Sequence, residues 1–154
     1  MGYDYLWINI RVKGGAYGCM NGYMRNGDTY FVSYRDPNLS ATNEIYDKIP
    51  EYLAKFDVDE HEMTKYIIGT IRDMDTPMNP SAKGARSMTA YLQELTYEDI
   101  QKEREQVIGA NAEDIKALEG LIASVLSDGN LCVIGNEDMI KNEATLFEKI
   151  ERLK

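Results

Sequence analysis

Residues 16–34 read AYGCMNGYMRNGDTYFVSY, and the fold turns on this stretch. Two strand-like runs, Ala16 to Arg25 and Asp28 to Tyr34, flank Asn26-Gly27. Asn and Gly both tolerate positive φ, so Asn-Gly between two such runs predicts a hairpin closed by a two-residue type I′ turn. That turn pairs Arg25 with Asp28. One face then carries Tyr17, Cys19, Asn21 and Tyr23 beside Tyr30, Val32 and Tyr34. The other carries Ala16, Gly18, Met20, Gly22 and Met24 beside Thr29, Phe31 and Ser33. Small residues, Met and one Phe suit close packing of a helix against that second face.

Working outward, Tyr5, Leu6, Ile8 and Ile10 predict the last turns of a helix over residues 3–10, interrupted by Gly14-Gly15. Beyond Asp36-Pro37 the apolar residues keep a helical period, first through Ile45, Tyr46, Ile49, Tyr52, Leu53 and Phe56. Pro50 lacks a backbone N–H and should kink or split that run at Ile49. Met63, Tyr66, Ile67, Ile68 and Ile71 mark the next helix. Asn79-Pro80 reads as N-cap and first helical residue of another, with Met88, Tyr91, Leu92 and Leu95 following. Thr96 with Asp99, and Asn111 with Asp114, read as reciprocal caps of two more. Ile115, Leu118, Leu121, Ile122 and Val125 form one apolar stripe. Asp128-Gly129-Asn130 predicts a turn into a short strand, Leu131–Gly135. A final amphipathic helix carries Ile140, Ala144, Phe147 and Ile150. The order predicts an α+β fold in two layers, a mostly antiparallel sheet with helices on one face. Three strands are few for so much helix, and the chain starts in mid-element. Both features lead us to expect that part of the domain is missing at the N-terminus.

Composition excludes more than it names. The 154 residues suit a single domain with one hydrophobic core. A formal net charge of −9 argues against nucleic acid as a partner, which would require a basic face. The single histidine, His61, removes every metal motif that needs two. It stands in Asp59-Glu60-His61-Glu62, an acidic helix start, and reads as solvated. No Gly-x-Gly-x-x-Gly or Walker loop is present, and Gly14-Gly15 precedes a strand, which argues against a nucleotide site. No apolar run approaches the roughly 20 residues of a membrane helix. Cys19 and Cys132 read as reduced, partly buried thiols. With the acidic, aromatic Met1–Tyr5, unlike a signal peptide, they set the expectation of a cytoplasmic protein.

One motif reaches further. Ile10-Arg11-Val12-Lys13-Gly14-Gly15-Ala16-Tyr17-Gly18 resembles the C-terminal half of the pitrilysin/insulysin clan (the insulinase-like zinc metalloproteases), in the branch of presequence protease and falcilysin. The resemblance continues in Ser33-Tyr34-Arg35-Asp36-Pro37-Asn38, Ile67-Ile68-Gly69-Thr70-Ile71, Asp75-Thr76-Pro77 and Pro80-Ser81-Ala82-Lys83-Gly84, in the family's order. It implies a LuxS/mitochondrial-processing-peptidase-like metallohydrolase fold. It further implies that residues 1–154 are a single, partial, C-terminal substrate-binding domain of a larger peptidase that hydrolyses peptides in a closed chamber. Such proteins hold zinc in their N-terminal half through an inverted His-x-x-Glu-His. No metal ligand is expected in this chain, which should be inactive alone.

The resemblance also implies site residues. Arg11 and Tyr17 would contact the peptide, with Tyr17 donating to the oxyanion of the transition state. A phenol aimed at that oxygen is an oxyanion-hole donor. A guanidinium offers forked donors to peptide carbonyls. Gly14 and Gly15 would let the backbone turn and approach the ligand. By residue type alone, Gly-Gly before a strand is more often a turn than a ligand loop. Arg35 reads as structural, paired with an acid such as Asp36 or holding the start of the next helix, and the tyrosine stripe reads mainly as core. The expected partners are a peptide substrate and the N-terminal catalytic half. Loss of upstream strands would expose a sheet edge, so self-association through the hairpin or the N-terminal segment is also expected. The alternative is a stand-alone, non-catalytic peptide-binding or assembly module with the same fold.

Overall fold

The computed structural model describes residues 1–152. The fold is α+β: a two-stranded antiparallel sheet, the only sheet among the described residues, accompanied by many helices. The chain divides into two compact units, Met1–Lys55 with the stretch from Ala117 onward, and Phe56–Lys116.

The first unit opens with a π-type helix, Gly2–Lys13, three residues longer at its C-terminal end than the expected 3–10. Its wide turn shows in the bonds from Leu6 N to Met1 O (3.1 Å) and from Gly14 N to Asn9 O (3.0 Å). Leu6 and Ile10 are its buried residues.

The hairpin pairs β1 (Gly18–Tyr23) with β2 (Thr29–Tyr34). Its register corrects the sequence reading. Gly18 faces Tyr34 and Tyr23 faces Thr29, so Met24, not Arg25, stands opposite Asp28. The loop has three residues rather than two. Gly27 N bonds Met24 O at 3.0 Å, and Gly27 is the loop residue at positive φ, 95°. A type I′ turn would also force Asn26 into the left-handed region, at about 1–2 kcal/mol. The longer loop confines that conformation to Gly27. Asn26 instead caps the turn locally, its Oδ1 accepting from Asp28 N at 3.2 Å.

A one-residue slip exchanges the faces. Cys19 and Asn21 now share the covered face with Thr29, Phe31 and Ser33. Met20, Tyr30, Val32 and Tyr34 stand exposed on the other. The hairpin tyrosines, expected mainly in the core, are surface groups: Tyr30 and Tyr34 lie on the open face, and Tyr17 and Tyr23 are exposed at the two ends of the other. Gly27→Ala should cost about 1–2 kcal/mol through backbone strain alone, because a Cβ there meets nothing within 4 Å. Asn26→Gly should give no stabilisation, which a type I′ turn would have produced. Urea denaturation of both variants checks this.

Pro50 splits the following helix as expected, into α1 (Leu39–Asp47) and α2 (Ile49–Ala54). Ile49 and Leu53 of α2 are buried, and α2 packs against α7 (Glu119–Ser127), whose Ile122 is buried with them. With Leu6, Ile10 and Ala16 these form the unit's core. Each large aliphatic side chain contributes roughly 1.5–3 kcal/mol by burial. The stripe expected as one helix through Ile115–Val125 is broken between α6 (Ala112–Lys116) and α7. The expected strand Leu131–Gly135 is irregular and has no ladder partner, with Ile134 78% exposed. A short apolar run does not specify a pairing edge. The final helix is also shorter than expected. After α8 (Glu137–Asn142) and a single turn at Ala144–Leu146 the backbone is extended at Phe147, where Asn142 and Thr145 had offered little helix propensity.

The second unit holds α3 (Glu60–Met74), α4 (Pro80–Leu92), α5 (Tyr97–Ile108) and α6. The expected caps form. Asn79 accepts from Ala82 N with Pro80 at the first position, and Thr96 and Asp99 make a reciprocal box. Arg104 Nη1 meets Asp75 Oδ1 at 2.5 Å and holds that carboxyl below the usual carboxylate range. Phe56 and Met63 are buried here, and His61 is exposed in the first turn of α3.

Candidate functional site

All four site residues expected from the sequence, Arg11, Gly14, Gly15 and Tyr17, lie where the π-type helix hands over to the hairpin. The helix ends by widening. Gly15 N bonds Arg11 O at 3.0 Å and Ala16 N bonds Ile10 O at 3.2 Å. Two glycines are required for different reasons. A Cβ on Gly14 would stand 2.5 Å from Ile10 O, and Gly15 takes φ 82°. Asn38 fastens the turn from the start of α1, its Nδ2 donating to Gly14 O. Ala16 is buried, which anchors the chain immediately before Tyr17.

Tyr17 continues the ladder beyond β1, its N–H shared between Tyr34 O (3.1 Å) and Arg35 O (3.3 Å). Its side chain is 65% exposed, and its hydroxyl makes no hydrogen bond among the described residues. Arg11 donates from Nε to Tyr17 O at 2.9 Å, while its guanidinium carbon lies 4.2 Å from the centre of the Trp7 ring. The Nη groups of Arg11 remain available. A held backbone, a free phenol and a stacked, unspent guanidinium thus meet on one exposed turn.

Of the two roles expected of Arg35, the pair with Asp36 is not formed. Asp36 is used otherwise, accepting from Asn38 N at 2.9 Å and from the Thr42 hydroxyl at 2.7 Å, and so it holds the start of α1. Arg35 lies over two rings instead, 5.6 Å from the centre of Tyr17 and 5.3 Å from that of Tyr34. Those rings meet edge to face at 5.8 Å. Arg35 has φ 49°, a left-handed conformation that costs a side-chain-bearing residue about 1–2 kcal/mol. Nothing in Ser-Tyr-Arg-Asp-Pro-Asn announces this. Trp7 stands four residues before Arg11 on one helix, and that i,i+4 spacing is the signal in the sequence for their contact.

Behind the site, Cys19 is half-buried and its thiol is pushed up by burial, with Arg11 acting in the opposite sense. Cys132 is exposed, not partly buried as expected. Tyr46 of α1 lies against Phe31, ring centres 5.7 Å apart. Its hydroxyl is buried without a well-formed hydrogen bond. Burial pushes its pKa up to about 12, although Ser33 lies close enough to favour the phenolate slightly. Because the folded value exceeds the unfolded one of 10.0, the contribution of neutral Tyr46 is complete below pH 10 and lost as pH rises through about 12. Tyr46→Phe should abolish this alkaline loss and change stability at neutral pH by no more than about 1 kcal/mol, in the favourable direction. Denaturation as a function of pH, with tyrosinate absorbance, measures both. A cavity of about 670 Å³ lies at the turn end of the hairpin, lined by Asp28, Tyr30, Phe31, Tyr46, Asp47 and Asp128 among others. None of the four expected site residues lines it.

Among the described residues no three His, Cys, Asp or Glu side chains are grouped to hold a metal ion. No helix among them is long and apolar enough to cross a membrane.

A family model described as the PreP C-terminal domain matches residues 1–137. The chain is 50% identical over 151 residues to Protein HypA of Clostridium perfringens, covering 98% of the chain and 16% of that relative. It is 35% identical over 152 residues to Presequence protease 1, chloroplastic/mitochondrial, of Arabidopsis thaliana, covering 96% and 14% respectively. It is 30% identical over 154 residues to the mitochondrial presequence protease of Emericella nidulans, again covering 96% and 14%. The chain thus spans about one-seventh of the length of these relatives. It belongs to the presequence protease family, as a stretch matching that family's C-terminal domain.

Proposed function

We propose that this chain is the substrate-binding C-terminal portion of a zinc-dependent oligopeptidase that hydrolyses peptides in a closed chamber, and that it is inactive alone. The observation that carries this is the Arg11–Tyr17 pair. Both groups are fixed at the backbone by the Gly14-Gly15 turn, and both keep their polar ends unspent. Arg11 would bind peptide carbonyls through its Nη groups and orient the chain. Tyr17 would donate to the oxygen that gains charge as the scissile amide is attacked.

Zinc does not fit the residues present. His61 is the single histidine, is exposed on α3, and belongs to no group of three candidate ligands among the described residues. The chain therefore contributes no step through a metal, and any zinc would be held in an N-terminal half of the protein. That half is the partner this reading requires, together with a peptide substrate. In its absence, self-association through the exposed hairpin face would follow, with sedimentation as the check. The unpaired thiols of Cys19 and Cys132 are in keeping with a reducing, cytoplasmic location.

Trp7 is the single tryptophan and lies under Arg11, so it reports occupancy of the site. Titration with tryptophan-free peptides should change its emission, and Arg11→Gln should weaken that binding. A peptidase assay with and without a family catalytic half should give cleavage only with it. Zinc-dependent cleavage by the 154-residue chain alone would overturn the reading. Peptide binding with no cleavage in either case would favour the non-catalytic module.

A further inference from the structure

Arg11 and Arg35 are unusual in where their charge goes. The chain carries a formal net charge of −9, yet neither arginine forms an ion pair among the described residues. Arg11 lies on Trp7, and Arg35 covers Tyr17 and Tyr34. The carboxylate closest to Arg35 in sequence, Asp36, has both oxygens engaged by the start of α1. Both arginines touch Tyr17, one at its backbone oxygen and the other at its ring.

A guanidinium held over rings rather than by a carboxylate keeps N–H donors available, and their fork matches a planar carboxylate. Arg35 is held in this place at φ 49°, a conformation its own side chain disfavours and one that persists only where the surroundings impose it. Neutral peptide carbonyls could be served by Arg11 alone. A second guanidinium without an ion pair beside the same phenol favours a carboxylate over a neutral carbonyl, because charge-assisted hydrogen bonds are the stronger ones. The rest of the chain repels anions, so attraction at this turn is a local property of the two guanidiniums.

We propose that Arg35, together with Arg11, forms a site for a carboxylate of the bound peptide, so that the turn around Tyr17 selects peptides with a negative charge at that position. The carboxylate is either the peptide's C-terminus or an Asp or Glu side chain. This rests on the peptide-binding reading above. Arg35 thereby becomes a specificity-determining residue, which the Gly-Gly motif itself does not include.

The test uses the whole chain and three tryptophan-free peptides of one sequence: a free C-terminal acid, a neutral C-terminal amide, and an amide carrying one internal Glu. Binding is read from Trp7 emission and by calorimetry. The free acid or the Glu peptide should bind at least about tenfold more tightly than the neutral amide. A preference for the acid identifies the terminus as the source, and a preference for the Glu peptide identifies the side chain. Arg35→Gly should remove the preference while leaving the melting temperature unchanged or higher, since Gly adopts φ 49° without penalty. A role only in structure predicts the opposite change in stability. Arg35→Lys should keep part of the preference. Equal binding of all three peptides, or a preference that survives in Arg35→Gly, overturns the carboxylate site and leaves the peptide-binding reading standing. Absence of binding by every peptide overturns both.

Discussion

Tyr17→Phe, introduced into this domain and assayed together with a family catalytic half, should lower kcat by about 10²–10³-fold, equivalent to about 2.7–4 kcal/mol. KM should change little. The size follows from what the substitution removes. Phe keeps the ring, its edge-to-face contact with Tyr34 and its cover by Arg35, and loses only the hydroxyl. That hydroxyl has no partner among the described residues and stands on a 65% exposed side chain, so the fold does not depend on it. A donor whose bond strengthens as charge develops affects kcat, whereas one that binds substrate and transition state alike affects KM. Arg11→Gln provides the contrast. It should raise KM more than it lowers kcat, because its donors hold the peptide alike before and during reaction. An unchanged rate in Tyr17→Phe would reduce the motif to architecture.

Ile49→Ala should destabilise the fold by about 2–5 kcal/mol, measured by urea denaturation followed by circular dichroism. Ile49 is fully buried and opens α2, with Leu53 one turn on and Ile122 of α7 in the same core. Pro50 follows immediately and restricts the backbone there, so α2 has little freedom to move in and refill the space. The cavity therefore stays open, which is the condition for the upper part of the range. Ile49→Val removes one methylene and should cost about 0.5–1.5 kcal/mol. A loss below about 1 kcal/mol in Ile49→Ala would show that the core relaxes after all.

Much of the helical organisation was legible because its signals are local. Asn79-Pro80 and the Thr96–Asp99 box act within one turn, on backbone groups three residues away, and no distant element can change that. Pro50 is of the same kind, since the missing N–H breaks a bond inside its own helix. The Arg11–Gly14-Gly15–Tyr17 segment was singled out by its resemblance to a family, and backbone geometry accounts for its two glycines.

The hairpin shows where local reading stops. Asn26-Gly27 correctly marks the turn, but the same dipeptide closes a two-residue or a three-residue loop, and the choice moves every side chain of one strand to the other face. Leu131–Gly135 has the apolar content of a strand and joins no ladder among the described residues. Arg35 beside Asp36 looks like an ion pair in sequence, while Asp36 is claimed by Thr42 and Asn38.

The sequence by itself determined the helix caps, the proline break, the position of the turn and the segment holding Arg11 and Tyr17. Only the tertiary structure decided which face of the hairpin is covered, that the tyrosines lie outside, and that Arg35 lies over the Tyr17 ring. Caps and breaks depend on hydrogen bonds between near neighbours in the chain. Register, burial and the partner of a charge depend on competition among groups brought together from distant parts of it, and that competition has no signature in any single stretch of residues.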